Sequence, residues 1–276
     1  MKNKDISWKI YSLLPILLIL IFLTLIPLVS IFYNSFFDIH WKDGGYIYNF
    51  IGFQNYLELP QNKFYVPGLI NTIKLAIIGV FFQMIFGFVI ALGISKIKKG
   101  KSFFVSLFLL PILLPPIVIG SIWRLMYGFD FGIFNYLLAF LGVFPVDWLG
   151  DPTIAFVSVV ILDVWHWTPF VVLLLLAGLE SLPTDVYEAG RVDGTSGWSE
   201  IVHITFPLMI PTIIVTLVFR FILSFKVFDE IYLLTQGGPG TSTEVISYSI
   251  YETFFESDNI GLGSVMSVVS LFVISI

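Results

Sequence analysis

Apolar residues in this chain fall into long runs separated by shorter polar stretches. Crossing a hydrocarbon layer of about 30 Å takes roughly 20 helical residues. Six stretches reach or approach that length, at about 10–32, 69–94, 103–126, 154–179, 208–226 and 262–276. The expected fold class is therefore all-α, a polytopic membrane protein with six transmembrane helices in a single domain over residues 1–276. Lys2, Lys4 and Lys9 precede the first run as they would in a signal peptide. The run is too long for a signal h-region and no small-residue cleavage site closes it, so an uncleaved first span is expected. The last run is short and stops while still apolar, and truncation is the expected reason.

Basic residues set the orientation. Lys2, Lys4 and Lys9 flank the first span, and Lys96, Lys98, Lys99 and Lys101 lie between the second and third. Two crossings separate the clusters, so both can be cytoplasmic, which puts the N-terminus inside. By parity residues 180–207 are also inside, although they carry Arg191 against five acidic residues. Residues 227–260 then lie outside, with six acidic residues and no Lys or Arg.

Composition agrees with the pattern. Apolar residues make up 57% of the chain and charged residues 12%, with a mean hydropathy of +0.94; a soluble domain carries roughly 25% charged residues. The absence of cysteine excludes disulfides, thiolate metal sites and cysteine nucleophiles. No metal site and no nucleic-acid partner are expected; membrane lipid is the solvent.

Several spans are not plain rods. Pro111, Pro115 and Pro116 interrupt the third, removing backbone donors. Such breaks persist where protein or a water-filled cavity satisfies the freed carbonyls, and a kink used only for packing is the alternative. Charges at membrane depth tend to face a cavity or a partner. Asp163 and His166, three apart, share a helix face. At 1.5 Å per residue Arg220 falls within one helical turn of the depth of Asp163. Asp163 and Arg220 are expected to pair or, with His166, to line a polar route for a solute; a purely structural ion pair is the other reading. Trp165, Trp167, Phe170 and Phe225 could stack on sugar rings or simply pack.

The most informative stretch is residues 182–207. It predicts a short helix, a turn and a second helix leading through Pro207 into the fifth span. Asp185 can cap the first helix, with Glu188 three residues on. Gly194 falls where a left-handed residue would close that helix. A short amphipathic pair on the inner membrane face is either a docking surface for a soluble partner or an ordinary connector.

This segment resembles the EAA loop of binding-protein-dependent ABC importer permeases, whose pattern is E-A-A, three residues, G, nine residues, I-x-L-P. Glu188, Ala189, Gly194, Ile204 and Pro207 match at that spacing, while Gly190 replaces the second Ala and Phe206 the Leu. Small residues at 189 and 190 would allow close approach of a partner. Further stretches resemble the carbohydrate-uptake branch, which includes the maltose and glycerol-3-phosphate importers. They are Leu14-Pro15 with Pro27, Tyr33-Asn34-Ser35-Phe36, Ile51-Gly52-Phe53-Gln54-Asn55-Tyr56, and Phe228–Tyr232 through Thr235–Gly240 to Glu244.

The resemblance implies the type I importer permease fold and a cytoplasmic coupling helix held in a cleft of an ATPase. It also implies a bacterial or archaeal cytoplasmic membrane. The implied partners are a second homologous permease in a heterodimer, an ABC ATPase dimer and an external solute-binding protein. This chain would bind no cofactor, ATP and Mg being used by the partner ATPase. Gly100-Lys101-Ser102 looks like the end of a phosphate-binding loop, but the required first Gly falls at Ser95. The chain is thus expected to be a transport subunit and not an enzyme. An ion-gradient-driven transporter or channel is the alternative, and it leaves the EAA spacing without a cause. No Ser/His or paired-carboxylate constellation supports an intramembrane enzyme.

Overall fold

The computed structural model describes residues 2–275, with side chains from Ser12 onward. Helix α1 (Lys2–Asn34) is followed by strands β1 (Phe37–Lys42) and β2 (Gly45–Phe50) and the short helix α2 (Gln54–Glu58). Next come α3 (Tyr65–Ser95), α4 (Lys101–Leu113), α5 (Pro116–Met126), α6 (Ile133–Phe140) and α7 (Pro152–Glu180). The chain continues through α8 (Thr184–Val192), α9 (Trp198–Glu200), α10 (Phe206–Ser224), α11 (Asp229–Leu234), α12 (Ile246–Tyr251) and α13 (Ile260–Ser275). These form two compact units, one of Met1–Val66 with Ser249–Ile276 and one of Pro67–Tyr248.

Within the first unit the otherwise helical fold carries one β-hairpin. Antiparallel β1 and β2 pair from Phe37 with Phe50 to Lys42 with Gly45. Asp43 and Gly44 both have positive φ, 53° and 87°, the backbone of a two-residue hairpin turn whose twist suits the flanking strands. Ile39 is fully buried, and Asn55 Nδ2 donates to the Phe37 carbonyl at 3.2 Å. Gly261 of α13 passes the same carbonyl so closely that a Cβ would collide with it. The Ser12–Asn34 part of α1 buries none of its apolar window.

The expected spans are recovered unevenly. Ser12–Asn34, Tyr65–Ser95, Pro152–Glu180 and Trp198–Ser224 are long and apolar enough to cross a membrane. The third expected span is a bent pair: α4 and α5 meet at 87°. Leu114 and Pro115 each precede a proline, and each is extended, with ψ of 138° and 133°, because the following ring disfavours helical backbone. The sixth, α13, has 16 residues, a rise of about 24 Å.

The second unit is organised by three helices, α3, α7 and α10. Ala91 and Ile94 of α3, Val171, Val172, Leu175 and Leu176 of α7 and Met209 of α10 form a common buried cluster. Glycines bring these backbones close, as at membrane helix interfaces generally. A Cβ on Gly87 would lie 2.5 Å from Val171, and one on Gly178 would lie 2.6 Å from Thr212.

Candidate functional site

Two features meet on α10, the α8–α9 fold-back at one end and a buried polar bridge at the other. In the fold-back, α8 starts differently from expectation. Pro183 stands at the N-cap and no side chain caps the helix. Asp185 lies in the first turn, where its charge faces the positive helix end without the reciprocal bonds of a capping box. Gly194 takes the left-handed conformation, φ 84°, and Thr195 N–H closes the turn onto the Gly190 carbonyl at 2.9 Å.

The return arm is folded against α8. Tyr187 Oη donates to Thr205 Oγ1 at 3.1 Å, and Arg191 Nε lies 3.6 Å from Glu200 Oε2. Gly190 has a local role that its spacing did not suggest. A Cβ there would collide with Ile204 and lie 2.7 Å from Thr195 Oγ1. The small residue at 190 therefore serves the chain's own helix pair, whereas Glu188 and Ala189 remain exposed. Gly190→Leu is expected to open the pair at a cost of about 1–3 kcal/mol. Faster tryptic cleavage at Arg191 would show it, with Ala189→Leu staying protected.

A π-helical turn, Ile201–Thr205, joins α9 to α10. Pro207 offers no N–H to the His203 carbonyl, and Phe206 N–H bonds Ile201 instead. Helix thus runs without a gap from Trp198 to Ser224. Around the fold-back, Val192 is 88% exposed and Trp198 76%. His203 is exposed, with Nδ1 3.0 Å from the Ser199 carbonyl.

About 30 Å up this helix from Glu200, at 1.5 Å per residue, Arg220 is completely buried. Its Nη2 donates to Asp163 Oδ1 at 2.7 Å, its Nε to Gln83 Oε1 at 2.7 Å and its Nη1 to Ser224 Oγ at 2.9 Å. Gln83 Nε2 completes the ring on Asp163 Oδ2 at 2.7 Å. The guanidinium carbon lies 4.8 Å from the Trp167 ring centroid. Gly79 leaves room for the carboxylate, since a Cβ there would lie 2.7 Å from Asp163 Oδ2. Each guanidinium nitrogen is satisfied, as a buried charge requires.

His166 does not join Asp163. Its Nδ1 is 2.9 Å from Glu230 Oε1 on α11, with both side chains buried. Helix α11 is also held to α5, where Arg124 Nη1 donates to the Leu233 carbonyl at 3.1 Å. Burial, and next the adjacent Glu230, push the Asp229 carboxyl above its ordinary value. Gln83, Ser224 and Glu230 were missed from sequence. Gln83 did carry a signal, as the one amide or charged side chain between Leu75 and Ile94.

A family model described as "Binding-protein-dependent transport system inner membrane component" matches residues 83–276. The chain belongs to this family. The trehalose/maltose transport system permease protein MalF of Thermococcus litoralis is 35% identical over 276 residues, 99% of this chain and 92% of the relative. The probable starch degradation products transport system permease protein AmyD of Thermoanaerobacterium thermosulfurigenes is 30% identical over 275 residues, again 99% and 92%. A bacterial alginate ABC transporter, crystallised with an alginate pentasaccharide-bound periplasmic protein, contains a chain of the same fold. It aligns with TM-score 0.84 and 23% identity, covering 99% of this chain and 93% of that one.

The permease is therefore a membrane-embedded transport subunit of an ATP-driven importer, and its fold is that of ABC importer permeases. The end of segment 184–207 and Arg220 lie on one continuous helix, Trp198–Ser224.

Proposed function

We propose that this permease passes a sugar or sugar-like solute, delivered by an external binding protein, across the cytoplasmic membrane by alternating access. It would do so paired with a second homologous permease and driven by an ABC ATPase dimer that uses ATP and Mg. The names of its relatives, which include trehalose, maltose and starch degradation products, support the solute class. Lysines 96, 98, 99 and 101 and segment 184–207 lie on the inside in this reading, with the N-terminus cytoplasmic, following the distribution of basic residues.

The observation that carries the mechanism is the unbroken helix from Trp198 to Ser224. Glu188, Ala189, Gly194, Ile204 and Pro207 shape the inner docking end, with Val192 and Trp198 as its exposed apolar contacts. An ATPase that grips this end moves α10 as a rod. Arg220 transmits the movement to α3 and α7 through Gln83 and Asp163, and His166 passes it to α11 through Glu230. Helices α3, α7 and α10, which the bridge joins, would flank the solute route. Nε1 of Trp167, a buried donor without a hydrogen-bond partner among the described residues, would be offered to the solute when the helices part.

Reconstituting the permease with its second permease, ATPase and binding protein tests this reading. Labelled trehalose or maltose is expected to enter only with ATP and the binding protein present. Uptake that persists without the ATPase and collapses with an ionophore would instead identify a gradient-driven transporter.

A further inference from the structure

The break at Leu114-Pro115-Pro116 shapes the space beside α4 and α7. Because α5 leaves at 87°, α4 is not continued along α3 and α7, and a groove of about 860 Å³ remains open between them. Phe82 and Ile90 of α3, Phe108 and Pro111 of α4, and Val160 and Pro169 of α7 are among its walls. Along α3 the lining runs from residue 78 to residue 90, about 18 Å at 1.5 Å per residue. That is close to one leaflet of a hydrocarbon core about 30 Å thick.

The charge at one end of this groove selects its occupant. Lys96 lies six residues beyond Ile90, about 9 Å along the axis. Lys98 and Lys99 follow, and all three are exposed with no acidic partner among the described residues. Lys101 differs, being paired with Glu180. A surplus of three cations beside an apolar slot of acyl-chain length matches a lipid with a negative headgroup. Basic pockets between membrane helices on the cytoplasmic side bind such headgroups.

We propose that the α3–α4–α7 groove is a binding site for an anionic phospholipid, one acyl chain lying in the groove and the phosphate held by Lys96, Lys98 and Lys99. This rests on the reading above that places these lysines on the inner face. An apolar helix of another polypeptide would fill the slot but leave the lysines without counter-charge.

The test uses the assembled importer in phosphatidylcholine nanodiscs. The probe is a phosphatidylglycerol carrying a diazirine midway along one acyl chain. Photolabelling is expected on peptides covering residues 78–90 and 156–169, and unlabelled phosphatidylglycerol should compete on the order of a hundredfold better than phosphatidylcholine. Lys96→Gln/Lys98→Gln/Lys99→Gln should abolish that preference, since each lysine near an anionic surface contributes on the order of fivefold. Val160→Trp should fill the groove and remove the labelling.

Equal competition by both lipids, or labelling unchanged by Val160→Trp, overturns the site. So does crosslinking of a single cysteine at Val160 to another protein, which would put a helix in the slot. The readout needs neither nucleotide nor solute, so it fails independently of transport. Labelling of the lysines from the outer face would overturn the orientation instead.

Discussion

Replacing Arg220 with methionine is expected to destabilise the permease by about 3–5 kcal/mol, the cost of leaving one member of a buried ion pair without its partner. The large figure follows from Asp163 being fully buried and, among the described residues, held by Arg220 and Gln83. The double variant Asp163→Leu/Arg220→Met should recover most of the loss, because neutral, well-packed replacements of a buried pair are often tolerated. The thermal aggregation midpoint of the detergent-solubilised importer reads both changes. The same double variant separates two roles. Uptake that returns together with stability assigns the pair to holding α3, α7 and α10 together. Uptake that stays lost in a stable double variant assigns it to the solute route. The satisfied guanidinium favours the first outcome.

The second large effect is expected from Gly194→Pro. Gly194 has φ 84°, whereas proline fixes φ near −65°, so the fold-back between α8 and α9 cannot keep its shape. Forcing it costs about 1–3 kcal/mol locally, which is about a 5- to 150-fold loss of docking if borne by the ATPase contact. Membrane insertion, decided by the apolar spans, should be unchanged. ATP-dependent uptake should fall to background while the permease level in membranes matches the wild type. Normal uptake in this variant would remove the fold-back from the coupling mechanism.

The sequence carried most of this architecture, because long apolar runs leave few alternatives in a bilayer. It also carried the Asp163–Arg220 pairing, since helical rise alone puts the two at one depth. What it hid were contacts that depend on how helices rotate against each other. His166 shares a face with Asp163 yet reaches Glu230, because α11 folds back over α7, and no spacing rule encodes that return. Gly190 was read as clearance for a partner, when Ile204, fourteen positions along, occupies the clearance. The hairpin was legible but overlooked. Phe37 to Lys42 alternates apolar and polar residues, and Asp43-Gly44 is a hairpin turn signal. Pro183 explains the missing cap, as its ring, with no side-chain acceptor, takes the position a Ser or Asp would need.

The proposed coupling depends on a motor subunit gripping residues 184–207 from the inside. The chain has no cysteine, so a single cysteine at Trp198 gives one unambiguous reporter. In inside-out vesicles of the assembled importer, a short thiol-to-amine crosslinker at this position should join the permease to its nucleotide-hydrolysing subunit, and Gly194→Pro should weaken the product. A Trp198→Cys chain that reacts only from the outer face, or that crosslinks to no ATPase, would contradict the account.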